Sequence, residues 1–81
     1  MKLNETASMM TSPDYKERFR GEYYQLKIRI EGLDNMLKKY KEGTLPFTPS
    51  CDYDLLHGQL VTMQSYLAIL EERARIEKID L

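Results

Sequence analysis

The segment from Phe19 to Tyr40 reads FRGEYYQLKIRIEGLDNMLKKY, and its apolar residues recur at alternating intervals of four and three. This spacing is typical of a heptad seam along an α-helix and not of a strand. Ser12 and Pro13 favour a helix start just upstream, and Gly43 favours a stop after a group of lysines. The sequence therefore predicts a first helix over residues 13–42.

A second seam follows a turn over residues 43–50, GTLPFTPS, whose two prolines interrupt the pattern. Its members are again spaced three and four apart: Tyr53, Leu56, Leu60, Met63, Leu67, Leu70 and Ala74. They predict a second helix over residues 51–78, started by Thr48 or Ser50. We expect Phe47 to fold the turn back onto the end of the helix pair.

The two seams fit a single antiparallel register. Each residue of the first seam pairs with the residue of the second whose number brings the sum to 93, from Phe19 with Ala74 to Tyr40 with Tyr53. The connection between the helices has an ordinary length for such a pair. The predicted fold class is therefore all-α, an antiparallel two-helix hairpin of coiled-coil type, in one domain over residues 12–81.

Residues outside the seams predict little further order and no membrane segment. Residues 1–11 show no apolar period, so we expect a disordered N-terminal tail, and they contain no apolar run of signal-peptide length. The longest uncharged stretch, Leu55–Leu70, is too short and too polar to cross a bilayer. Cys51 is the only cysteine, which fits a reducing cytoplasm.

Composition and motifs argue against catalysis and against general nucleic-acid binding. Twelve Lys and Arg against thirteen Asp and Glu leave a net charge of −1, unlike a binder of phosphate backbones. Asp52, Asp54 and His57 could touch a metal, but acidic residues at a helix start usually complement the helix dipole. The chain has no triad and no glycine-rich phosphate loop. We expect a non-enzyme without metal or cofactor.

The second helix carries more apolar surface than one seam uses, because no charge occurs from Leu55 to Leu70. We therefore expect self-association into a homo-oligomeric helical bundle, as an antiparallel helix pair or a closed ring. The candidate interface residues are Gly58, Val61, Tyr66, Ile69 and Ile76. The alternative is a loosely packed hairpin with one apolar side.

An aromatic and basic stripe is the best candidate for ligand binding. Arg20, Tyr24 and Lys27 share one face of the first helix with Glu31, and the register places Arg73 opposite Arg20. A Tyr ring beside cations suits stacking on a base and pairing with a phosphate. The alternative is a solvated face with a Lys27–Glu31 ion pair and with Tyr24 buried at an oligomer contact.

Several segments carry a family resemblance. They are YKERF, EYYQLKIRIEGLDNML, FTPS and LLHGQLVTMQSYLAILEER, within residues 15–73. In them the chain resembles small helical proteins of tailed phages, including crAss-like phages. More distantly it resembles the helical-hairpin phage sponges that counter the CBASS and Thoeris defences. The resemblance covers most of the chain beyond Met10.

The resemblance implies a non-enzymatic anti-defence protein in the cytoplasm of the host cell. Such sponges are helical oligomers that sequester a cyclic oligonucleotide or cyclic ADP-ribose signal at subunit interfaces lined by Tyr, Lys and Arg. They use a Tyr and a Lys about four turns apart, a spacing matched by Tyr23–Lys38 or Tyr24–Lys39, which adds Lys39 to the ligand candidates. The alternative function is a protein-interaction module that docks a host protein through an exposed helical face.

Overall fold

A computed structural model describes residues 1–81 and contains helices and no strands. A short 3-10 helix, Leu3–Glu5, leads into α1 (Thr6–Met10), which is followed by α2 (Tyr15–Glu42) and α3 (Tyr53–Glu77). Both α1 and α3 pack against α2, whereas α1 and α3 do not contact each other. The molecule is elongated, 43 × 24 × 17 Å. None of its helices combines the length and the hydropathy needed to cross a membrane.

The predicted antiparallel hairpin is confirmed by contacts between α2 and α3. The rings of Tyr40 and Tyr53 lie 5.7 Å apart near the turn. At the other end, the guanidinium carbon of Arg73 lies 5.1 Å from the centre of the Phe19 ring. The numbers of these two pairs sum to 93 and 92, so the observed register agrees with the predicted one along the whole hairpin.

The core consists of the seam residues together with one residue beyond them. Its buried members are Phe19, Tyr23, Leu26, Ile30, Leu37, Leu60, Leu70, Ala74 and Ile79. Ile79 reaches the core because α3 ends in a left-handed residue, Lys78, after which the chain turns back and the Ile79 amide donates to the Ala74 carbonyl. Burial of these side chains supplies most of the driving force for packing α3 on α2.

The long helices begin two residues later than predicted, because aspartates cap them. The Asp14 carboxylate accepts a hydrogen bond from the Lys16 amide, and the Asp52 carboxylate accepts one from the Leu55 amide. Each satisfies an amide that has no partner within its own helix. The predicted stop at Gly43 is observed, with a φ of 74° that suits glycine.

The expected disordered tail is corrected by the structure, which places helices over residues 3–10. Thr6 is only 1% exposed, and its hydroxyl donates to the Leu3 carbonyl at 2.7 Å. The segment lies against α2 at Gly21, where an added Cβ would stand 3.0 Å from Met9 Cβ and from the Met10 amide nitrogen. The sequence did not predict this contact because a five-residue helix is too short to display a period.

Candidate functional site

Two of the predicted ligand residues, Tyr24 and Lys27, line the same depression on α2. This Tyr24 depression has a volume of about 170 Å³ and is formed by Met1, Tyr24, Lys27, Ile28 and Glu31. The Tyr24 ring is half-buried and stands edge-on to the Tyr23 ring at 5.1 Å. The N-terminal segment thus contributes one wall of a site that was assigned from the sequence to residues of the two long helices.

The Lys27 ammonium group is free of acidic partners. The ion pairs of the chain are Asp34–Lys38, Glu72–Arg75 and Arg73–Glu77, so the alternative Lys27–Glu31 pair is not formed. Lys27 Nζ lies 5.9 Å from the centre of the Tyr23 ring. An exposed cation beside two tyrosine rings can pair with an anion without first breaking a salt bridge.

Arg20 lies one turn before Tyr24 and is partly immobilised by the C-terminus. Its Nε donates to the Asp80 carbonyl at 2.7 Å, and its two Nη groups make no hydrogen bond within the chain. The fixed Nε limits the rotamers of the side chain while the four N–H donors of the two Nη groups remain available. Arg20 can therefore offer a positioned fork to a phosphate next to the Tyr24 depression.

Arg73 forms its side-chain contacts at the open end of the hairpin. Its Nε contacts Glu77 at 3.1 Å, and one of its Nη groups donates to the Tyr15 hydroxyl at 2.9 Å. Tyr15 in turn donates to Glu77 at 2.6 Å, and this hydrogen bond holds the pKa of Glu77 below its usual value. Arg20 and Arg73 thus have different partners, and Arg73 links Glu77 to Tyr15 at the open end of the hairpin.

Lys39 is distant from the other candidates within one chain. It follows Tyr24 by 15 residues, which at 1.5 Å per residue is about 22 Å along the helix axis. Its side chain is exposed and takes part in no ion pair. The structure therefore brings Tyr24 and Lys27 together in one depression, whereas Arg20 lies one turn before Tyr24 without lining it and Lys39 is distant.

The predicted interface residues are exposed on α3. An outer face, turned away from α2, is formed by Leu55, Gly58, Val61, Ile69 and Ile76. Ile69 is 59% exposed and Ile76 is 64% exposed. Tyr66 differs from the others, because its hydroxyl donates to Glu22 and ties it to the edge of the hairpin.

Sequence analysis missed the carboxylate that binds the seam residue Tyr23. The Tyr23 hydroxyl donates to Glu71 at 3.0 Å; burial, followed by this hydrogen bond, raises the pKa of Tyr23 to about 12. The predicted register could have indicated this contact, because Glu71 directly follows Leu70, the predicted partner of Tyr23. The involvement of Met1 had no comparable signal.

Acidic and imidazole groups form no metal centre. No group of three or more His, Cys, Asp or Glu side chains is arranged to hold a metal ion. Asp52, one of the three residues considered from the sequence, instead caps α3. The chemistry that the surface offers is therefore aromatic stacking, cation pairing and apolar contact.

A family model described as Sequestin matches residues 13–76, which include all of α2 and nearly all of α3. No curated protein and no solved structure matches significantly. The match does not include the N-terminal segment that packs at Gly21.

Proposed function

The chain belongs to the Sequestin family, whose name indicates sequestration, and we propose that it binds a cyclic nucleotide immune signal and withholds it from its receptor. A family named for sequestration implies binding instead of catalysis. The proposed ligand is a cyclic oligonucleotide or a cyclic ADP-ribose, and the proposed setting is a phage protein acting in the host cytoplasm. Removal of the free signal would then require no chemical step.

The observation that carries this proposal is the pairing of Tyr24 with an unpaired Lys27 in one depression. A base stacked on an aromatic side chain contributes about 1–3 kcal/mol, with little preference among bases. Lys27 and the free Nη groups of Arg20 supply positive charge on the same face. A cyclic nucleotide needs both features, because it combines flat bases with anionic phosphates.

The Tyr24 depression is too small to enclose such a ligand in one chain. Its volume of about 170 Å³ lies below the ~300–1,000 Å³ of ordinary ligand sites. We therefore propose that a second copy completes the site. The outer face of α3 supports self-association, since no charged residue occurs between Leu55 and Leu70 and this stretch exposes Leu55, Val61 and Ile69.

The positions of the Tyr24 depression and the α3 outer face distinguish the two possible assemblies, an antiparallel helix pair and a ring. The Tyr24 depression has no lining residue from α3, and the α3 outer face is turned away from α2. An antiparallel pair of α3 helices would leave the depression open to solvent. A head-to-tail ring would lay the α3 outer face of one copy over the depression of the next, so we expect a ring.

Ligand-dependent thermal unfolding tests the proposal. The panel contains cyclic dinucleotides, cyclic trinucleotides and cyclic ADP-ribose isomers. At 100 times its dissociation constant, a ligand stabilises the folded state by about 2.7 kcal/mol, or about 10 °C or more in a domain of this size. We expect Lys27→Ala to lose the shift and the exposed control Lys16→Ala to keep it. Absence of a shift with every compound would refute sequestration of this ligand class.

The exposed α3 outer face also supports the second candidate function, docking of a host protein. Sedimentation of the free protein separates the two candidates. An oligomer that Ile69→Glu dissociates would support self-association. A monomer at high concentration would contradict it and favour docking.

A further inference from the structure

The turn end of the hairpin, opposite to the C-terminus, carries a second aromatic cluster. The Tyr40 and Tyr53 rings lie 5.7 Å apart, and the His57 ring is stacked on Tyr53 at 5.7 Å with an interplanar angle of 12°. His57 is exposed, and Tyr40 and Tyr53 are half-buried. These rings form an aromatic cluster next to the connection between α2 and α3.

A cavity of about 210 Å³ lies beside this cluster. We call it the turn-end cavity; its lining residues are Tyr40, Gly43, Leu45, Phe47, Thr48 and Pro49. No acidic residue lines it. The expected packing of Phe47 onto the hairpin end is not observed, because Phe47 remains 56% exposed. The cavity thus has an aromatic residue on α2 and an exposed phenyl ring from the turn.

Two cations without acidic partners lie next to these aromatic residues. Lys39 is not among the lining residues, but it lies one helix turn before Gly43, and its carbonyl accepts a hydrogen bond from the Thr44 amide at 3.0 Å. Lys41 Nζ lies 5.5 Å from the centre of the Tyr53 ring. Neither lysine forms an ion pair, whereas the neighbouring Lys38 is paired with Asp34 at 3.1 Å.

We propose that the turn-end cavity binds a planar heteroaromatic ring that carries a phosphate, with the ring against Phe47 and Tyr40 and the phosphate at Lys39. Its volume of about 210 Å³ lies below the ~300–1,000 Å³ of ordinary ligand sites, so the cavity can receive the ring of one nucleotide unit and not a complete cyclic dinucleotide. This inference takes its ligand class from the proposed function. It assigns Lys39 to the turn end, one helix turn away, and not to the Tyr24 depression about 22 Å away.

An NMR titration of the amide resonances with adenosine monophosphate tests the inference. We expect saturable shifts at Gly43, Thr44 and Phe47. Adenosine and inorganic phosphate, added separately, should each bind at least about fivefold more weakly, since each lacks one of the two interactions. Shifts with inorganic phosphate equal to those with the nucleotide would overturn the role of the ring, and the absence of saturable shifts at the turn would overturn the site.

Variants with exposed side chains keep the fold intact and identify the residues involved. Phe47→Ala and Lys39→Ala should each weaken the response at the turn at least about fivefold. Lys38→Ala is the matched control and should leave it unchanged, because Lys38 is paired with Asp34. An equal loss in Lys38→Ala would refute a specific role for Lys39.

The Lys27→Ala variant separates this inference from the proposed function. It should abolish stabilisation by the cyclic ligand while leaving the turn-end response to adenosine monophosphate unchanged. A nucleotide response restricted to residues 24–31 would overturn the turn-end site and leave the Tyr24 depression supported. Loss of the turn-end response in Lys27→Ala would overturn the independence of the two sites.

Discussion

Gly21→Ala tests how closely the N-terminal segment approaches α2. In an exposed helix interior, glycine is less favourable than alanine by about 1 kcal/mol, so the substitution ordinarily stabilises a helix. At Gly21 a Cβ would lie 3.0 Å from three atoms, including the backbone nitrogen of Met10. A backbone atom cannot rotate away as a flexible side chain can, so α1 must move.

The structure sets the expected magnitude. Overpacking of a closely packed contact typically costs about 1–3 kcal/mol. Set against the helical gain of about 1 kcal/mol, this leaves a net loss between about zero and 2 kcal/mol. The loss is limited because α1 packs only on the 3-10 helix and α2, so it can separate without opening the contact between α2 and α3.

Gly32→Ala is the matched control, because a Cβ at Gly32 meets no atom within 4 Å. Urea denaturation followed by circular dichroism should show a gain of about 1 kcal/mol for Gly32→Ala and none for Gly21→Ala. Limited proteolysis should cleave residues 1–12 faster in Gly21→Ala, since displaced α1 is accessible. Equal stabilisation of both variants, with unchanged proteolysis, would refute the close approach at Gly21.

Three further predictions concern the cap, the core and a buried tyrosine. Asp52→Ala should lower the free energy of unfolding by about 1 kcal/mol in urea denaturation, whereas Ser50→Ala should not; equal effects would contradict the observed cap. Leu70→Ala removes a side chain with 0% exposure and should lower the free energy of unfolding by about 2–5 kcal/mol. Ile69→Ala should lower it little when measured at high dilution, where any oligomer dissociates. Similar losses for the two variants would contradict the observed position of the core. Because the pKa of Tyr23 is raised from 10.0 to about 12, the folded state retains a proton that the unfolded chain releases, so the free energy of unfolding should fall as the pH rises from 10 to 12. Tyr23→Phe should show a smaller fall over that range, and an unchanged pH profile would argue against a raised pKa.

The helical hairpin could be predicted from the sequence because many residue pairs indicate the same register. Each seam position supports the same register, from Phe19 with Ala74 to Tyr40 with Tyr53, so no single residue is decisive. The exposed α3 outer face was predictable for the same reason, since the absence of charge extends over several turns. A prediction from a long periodic pattern depends little on any individual contact.

Features that depend on one contact were not predictable. Ser12 and Asp14 are both good cap residues, and only the backbone geometry determines which one caps α2. The packing of α1 depends on the missing side chain of Gly21. Similarly, Arg73 has the chemistry of a ligand residue, but Tyr15 and Glu77 occupy it, and a pattern of residue types does not reveal such competition.

The antiparallel register also has a consequence for how the molecule assembles and opens. Pairs near the turn, such as Tyr40 with Tyr53, close a short loop, whereas Tyr15 and Glu77 are 62 residues apart in the chain. Loop-closure entropy favours forming the short loop first, so we expect contacts between α2 and α3 to form from the turn towards the chain ends. On unfolding, we expect the contacts at the chain ends to be lost first. Nucleotide held at the turn would therefore remain bound through partial unfolding that already separates Tyr15 from Glu77.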